Sequence, residues 1–248
     1  MWTDVVDLRD FYASTLGRVA ARAVRGCIGD LWPDVGGMRV LGLGYALPYL
    51  RFKSEPSGAP ERVIAAMPAA QGIIHWPKSG PNQTVLVEEE ELPFADNSMD
   101  RIVLVHAVEN SEHLRLLLRE VWRVLTDSGR LIVVVPNRSG LWALSERTPF
   151  GHGRPFTATQ LSRLLRDSLF TPTNSVRALF VPPVRSRMVL GGAGVWEKIG
   201  NRWFPQLAGL HVMEAGKQIY APNPVGARAR RGVVPAPANT GMHRDTQR

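Results

Sequence analysis

Apolar and polar positions recur with two periods along this chain. Residues 7–31 follow the 3.6-residue period of a helix, with Phe11, Leu16, Val19, Ala23 and Cys27 on one side. Arg18, Arg22 and Arg25 line another side, so the pattern predicts one long amphipathic helix with a solvated arginine face. Residues 33–37, Pro-Asp-Val-Gly-Gly, mark a turn. Four apolar runs of strand length follow, at 38–43, 62–66, 84–87 and 101–106. The last is apolar at four consecutive positions from Ile102 to Val105, as suits a strand covered on both faces. Helical spacing returns at Leu114, Leu117, Leu118, Val121, Trp122 and Leu125, with Asn110 or Ser111 as the cap and Ser128-Gly129 as the stop. A fifth strand is predicted at 130–135, closed by Pro136. Strands alternating with helices predict an α/β fold with a doubly wound, mostly parallel sheet.

The second half is less regular. A loop rich in Gly and Pro spans 137–155 and leads into a helix signalled by a Thr157/Gln160 capping box and a Phe156/Leu161 staple. Leu164, Leu165 and Leu169 continue its apolar face. Two last strands are predicted at 175–181 and 210–220, with a helical segment at 189–199 between them. One domain over 1–221 is expected, with an N-terminal helical segment at 1–35 and a loop and helix insert at 137–200 over the strand ends. Residues 222–248 read as a disordered basic tail.

Composition narrows the classes. At 248 residues the chain is long enough for a full core, and its 44% hydrophobic and 21% charged content are ordinary for a soluble globular protein. No apolar run reaches the length of a membrane span, and the N-terminus lacks the apolar segment of a signal peptide. A single cysteine, Cys27, excludes an internal disulfide and a multi-cysteine metal site, so a reduced cytoplasmic protein is expected. No spacing of His, Asp or Glu suggests a catalytic metal. Charge is uneven: residues 1–137 hold 14 Lys/Arg and 17 Asp/Glu, whereas 138–248 hold 16 and 5. That asymmetry suits either simple solubility or an anionic partner for the C-terminal half. A nucleic-acid partner stays open, without interleaved aromatics or a recognised module to support it.

One stretch carries a family pattern. Residues 92–100, Leu-Pro-Phe-Ala-Asp-Asn-Ser-Met-Asp, precede the fourth strand. Residues 118–125, Leu-Arg-Glu-Val-Trp-Arg-Val-Leu, and 128–137, Ser-Gly-Arg-Leu-Ile-Val-Val-Val-Pro-Asn, follow in order. Together they resemble the class I S-adenosylmethionine-dependent methyltransferases of the "type 11" small-molecule branch, over about residues 38–137. The resemblance implies a Rossmann-like, seven-stranded, mostly parallel sheet with the last strand antiparallel. It implies S-adenosylmethionine as cofactor and methyl transfer to a small organic acceptor. Asp100, Glu120 and Arg123 would hold turns and helix ends.

Against that family pattern the cofactor loop, 40–49, departs. Gly44 is kept and Tyr45 follows it, but Gly42 stands where the family has an acid, and Ala46 and Pro48 stand where it has glycines. Ala46 adds a methyl group, and Pro48 removes a backbone donor. The ribose-binding acid at the end of the second strand is replaced by Met67. Glu88 is the nearest match to the acid after the third strand. Each lost charge-assisted hydrogen bond would cost about 1.5–3 kcal/mol of affinity.

Candidate chemistry lies at the strand ends. His106, Glu109 and Asn110 follow the fourth strand, and His106 suits either a general base or a histidine packed at a strand end. His152 and Arg154 sit in a Gly/Pro-framed loop that would line a pocket or a partner surface. Cys27 lies away from the strand ends, which excludes a cysteine-dependent pyrimidine C5 reaction. The segment after the fourth strand lacks the Asp/Asn-Pro-Pro-aromatic motif of amino-methylating nucleic-acid enzymes. Two readings remain: a methyltransferase, or a non-catalytic relative that binds a small molecule or protein in the old cleft.

Overall fold

The computed structural model describes residues 4–52, 57–184, 186, 189 and 191–219, so the basic tail and Tyr220 lie outside the described residues. Its strands are β1 (Arg39–Gly44), β2 (Arg62–Pro68), β3 (Thr84–Val87), β4 (Met99–Val105), β5 (Leu125–Pro136), β6 (Phe170–Ala178) and β7 (Leu210–Lys217). They form one seven-stranded sheet in the order β3-β2-β1-β4-β5-β7-β6. The first five are parallel, and β7 runs antiparallel to both of its neighbours. This is the sheet that the resemblance implies. Chain direction across the sheet reverses between β1 and β4, and the C-terminal rim at such a switch point is where open α/β sheets bind ligands.

Alternate strand residues feed two cores, because successive side chains point to opposite faces. Val40, Val103, Val105, Ile132 and Val134 pack with α1 (Val5–Ala13) and α2 (Thr15–Leu31). Leu41, Leu43, Ile102, Leu104 and Leu131 pack with α3 (Leu114–Val124) and α4 (Ala158–Asp167). α5 (Ala193–Trp203) lies in the connection from β6 to β7. Between β1 and β2 the described residues contain a single 3-10 turn, Leu47–Tyr49, and no α-helix. The helical layer on that face is therefore built from the segment before β1.

Several elements differ from the sequence reading. The expected single N-terminal helix is two, because Ser14 leaves helical geometry and its hydroxyl accepts from the Gly17 amide as a cap. Gly17 permits the close approach: a Cβ there would collide with the Phe11 carbonyl. The break also rotates the apolar stripe. Leu8 and Tyr12 on α1, then Leu16, Ala20, Val24 and Ile28 on α2, are buried, while Phe11, Val19, Ala23 and Cys27 are only partly so.

α3 is flanked by His113 without a side-chain cap, not by Asn110 or Ser111, because the Ser111 hydroxyl is engaged by Glu89 at 2.8 Å. It ends at Val124, since Leu125 already pairs with Met99 and starts β5. β6 begins at Phe170, five residues before the expected start at 175. Leu169 does not extend the α4 face; it takes φ of 63° in the turn before β6 and is exposed. The Thr157/Gln160 capping box is present as expected.

The three charged residues that the family pattern singles out are structural. Asp100 accepts from the Arg39 amide and guanidinium. Glu120 accepts from the Leu92 amide at 2.9 Å, and Arg123 donates to Glu120, Asp96 and the Leu92 and Phe94 carbonyls. These contacts hold the turn ahead of β4 against the last turn of α3.

Candidate functional site

Local backbone geometry builds the rim of the switch point. Gly44 closes β1 with φ of 80°, and a Cβ there would collide with the Val105 carbonyl, so only glycine fits. The next amide, Tyr45, donates to that carbonyl at 2.9 Å. His106, just past β4, takes φ of 54°, a left-handed conformation that costs a non-glycine residue about 1–3 kcal/mol.

His106 is wholly buried, and its Nε2 lies 2.8 Å from the Tyr12 hydroxyl, which is itself 2.8 Å from the Tyr49 hydroxyl. The Tyr12 ring stacks on Tyr45 with 5.4 Å between centroids and planes 10° apart. Phe150, from the loop after β5, closes the other side of His106 at 4.8 Å. Burial drives the Tyr12 and Tyr49 hydroxyls well above the usual phenol range and pushes Tyr45 up to about 12. All three stay neutral hydrogen-bonding groups.

Buried polar groups at this rim are left over, His106, Glu109 and Gln71 among them. His106 Nδ1 lies 3.2 Å from Glu109 Oε1, within ion-pair distance, but the two lack the alignment of a hydrogen bond. Both oxygens of the buried Glu109 carboxylate consequently have no donor among the described residues. The Gln71 side-chain amide, after β2, is also buried without a partner, while its backbone carbonyl accepts from Val5 at the start of α1 at 2.9 Å. Unpaired buried groups of this kind are uncommon and cost about 1–3 kcal/mol each.

The expected site residues are only partly brought together. His106 and Glu109 meet, and Gly44 and Tyr45 face them across the rim. The His152 and Arg154 side chains are exposed and do not join that cluster; His152 Nε2 lies 2.9 Å from the Glu146 carbonyl. Only their backbone takes part, since the Arg154 amide donates to the Glu109 carbonyl at 2.7 Å. Glu88 is exposed in a tight turn that bridges to Glu91. Its neighbour Glu89 is the acid turned toward the rim: burial pushes its carboxyl up while the Ser111 hydroxyl opposes the shift. No sequence pattern marks Tyr12 or Gln71, whereas Tyr49 and Phe150 stand inside the two candidate loops, where nothing in the sequence gives them a role of their own.

With α1 packed as it is here, Tyr12 and the β1 loop cover the positions that an adenosyl sulfonium would touch. Gly42 is not an opening, because a Cβ at that position would lie 2.7 Å from Ala46 Cβ and from Leu50 Cδ1. Tyr45, Ala46, Met67 and His106 are all buried, so the positions that would touch a donor are already covered by protein. With α1 in place, Tyr12 fills the space above the β1 loop.

Comparison with known proteins fits the fold. A family model described as a methyltransferase domain matches residues 41–133. The chain is 30% identical over 126 residues to Rv3030 of Mycobacterium tuberculosis, named a probable S-adenosylmethionine-dependent methyltransferase; the match covers 48% of this chain and 46% of that one. The chain spans less than half the length of the curated relatives it matches first. A SAM-dependent methyltransferase of Thermotoga maritima superposes with a TM-score of 0.58 at 17% identity, covering 86% of this chain and 96% of that one. A chain from the Haloferax volcanii complex of the Trm112 methyltransferase activator with a methyltransferase superposes with a TM-score of 0.56 at 15% identity, covering 86% and 98%. The strand order, the switch point between β1 and β4 and the matched segment agree: the chain has the fold of the class I S-adenosylmethionine-dependent methyltransferases, and its residues 41–133 match a methyltransferase domain.

Proposed function

We propose that this chain is a non-catalytic relative of the class I S-adenosylmethionine-dependent methyltransferases, a module that binds a small molecule or protein at the strand-end rim and does not transfer methyl groups. One observation carries the reading: the Tyr12 ring lies parallel on Tyr45 and is tied by its hydroxyl to His106 and Tyr49, so protein fills the place of the donor. Gly42 in place of an acid, and Met67 buried where ribose hydroxyls would need one, support it further. In this reading His106 takes no part in a reaction, since a buried imidazole behind Tyr12 and Phe150 has no route to an acceptor's proton.

A second reading is favoured by Glu109. Its carboxylate, without a donor among the described residues, would meet the ammonium end of S-adenosylmethionine if α1 swung aside. The chain would then act as a methyltransferase on a small acceptor, with α1 as a lid. Calorimetric titration of the full chain with S-adenosylmethionine and S-adenosylhomocysteine, paired with amide exchange across α1, separates the two. No heat at high micromolar ligand is expected. Micromolar binding with faster exchange in α1 would establish the lid reading and end the first.

A further inference from the structure

The connection from β6 to β7 turns an apolar face outward. Trp196, Ile199 and Trp203 stand at i, i+3 and i+7 of α5, a single helical stripe. Trp203 is 69% exposed and Phe204 57%, and Trp196, Ile199 and Leu207 are each nearly half exposed. On the adjoining loop Leu144 is 76% exposed. The two segments share a base: the Asn137 side-chain Nδ2 donates to the Gln206 and Ala208 carbonyls at 3.0 and 2.7 Å, and Gly209 sits against Trp142. α5 is anchored from behind, where Glu197 accepts from the Leu179 and Phe180 amides and Gly200 abuts Phe180. The outward stripe is therefore surplus to packing. Scattered exposed apolar residues are normal, but a cluster holding two indoles and a phenyl ring marks an interaction surface.

Charge says what it meets. Residues 137–157 and 179–209 contain seven Lys/Arg and two Asp/Glu, and one of those acids, Glu197, is spent on backbone amides. Arg147, Arg154 and Arg202 are exposed on these segments. Aromatic side chains projecting from a convex helix, flanked by guanidinium groups, match an anionic bilayer interface, where rings enter the headgroup layer and cations pair with phosphates. Protein interfaces instead seat such anchors in packed, desolvated pockets. No helix among the described residues is long and apolar enough to cross a membrane, so the attachment is peripheral. We propose that α5 and the turn after it dock the protein on an anionic lipid surface, with Trp203 and Phe204 as the inserting side chains. This does not depend on whether the rim binds a methyl donor.

The test is flotation of the full chain with vesicles of pure phosphatidylcholine and of phosphatidylcholine with 30% phosphatidylglycerol, with indole fluorescence read against brominated lipid. Binding is expected to the anionic vesicles only, weakened by salt. Trp203→Glu combined with Phe204→Glu should lower the partition coefficient by at least about tenfold, given the apolar burial lost. Arg147→Ala and Arg202→Ala should each lower it roughly fivefold, at about 1 kcal/mol per basic residue. These surface changes should leave the melting temperature unchanged. No binding by the wild-type chain overturns the proposal, as does binding that survives the double variant but is lost when Arg228, Arg230 and Arg231 become alanine. Self-association that the double variant abolishes, without any lipid binding, would make this face a contact between copies and also overturn it.

Discussion

Replacing Tyr12 by phenylalanine tests whether the rim is as closed as its geometry implies. The ring and its stacking on Tyr45 would survive, and only the hydroxyl would go. That hydroxyl is shared by Tyr49 at 2.8 Å and His106 Nε2 at 2.8 Å, both buried. Each would be left unpaired, at about 1–3 kcal/mol per buried polar group. A loss of about 2–6 kcal/mol is therefore expected, a large share of the roughly 5–15 kcal/mol that stabilises a domain. At about 2–4 °C per kcal/mol for a chain of this size, the melting temperature should fall by roughly 4–24 °C. Urea denaturation should show a lower midpoint with an unchanged slope, since the surface exposed on unfolding is the same. A Tyr12→Phe protein that melts within about 2 °C of wild type would mean water reaches these groups. The claim that protein fills the donor's place would then fail with it.

Three further outcomes follow from other parts of the fold. His211 on β7 is buried without a hydrogen-bond partner among the described residues, and burial, helped by the facing Arg177, lowers its pKa to about 4. Between an unfolded value near 6.5 and the folded value the unfolded chain takes up the proton first, so stability is full above about pH 6.5 and falls toward pH 4. The loss has a ceiling of about 3 kcal/mol, and His211→Leu should flatten that part of a urea-midpoint-against-pH curve; an unchanged slope would refute it. Gly44→Ala should cost at least about 2 kcal/mol by calorimetry, from the left-handed backbone and the collision with the Val105 carbonyl, and a neutral result would show that the rim can relax. Arg123→Ala should cost about 1–3 kcal/mol while leaving the Tyr12 and His106 resonances in NMR spectra unmoved, because its contacts end in the turn before β4.

The sheet was readable because buried parallel strands leave uninterrupted apolar runs, as at Ile102–Val105, and because the Thr157/Gln160 box writes its helix start in two residues. What escaped depended on groups distant in the chain. Ser14 as a cap was hidden, since the apolar period runs on through it, and the one-residue shift moved Tyr12 from the flank to the core. Glu88 and Glu89 look alike in sequence; Ser111 decides between them by reaching only Glu89. His106 could be placed at the rim, but the ring that covers it comes from 94 residues earlier. Leu125 suited the helical stripe until pairing with Met99 claimed it for β5.

The Trp32 indole at the end of α2 donates to Glu214 on β7 at 3.0 Å, a contact between residues 182 positions apart. A ribosome adds about 5–20 residues per second, so the first two helices wait on the order of 10–40 s before the strand that receives this indole has been made. During that interval the part of α2 that packs on β6 and β7 has no strand to lie on. Nascent chains stalled before residue 210 should therefore recruit holdase chaperones through their opening segment, and release them only as β7 emerges.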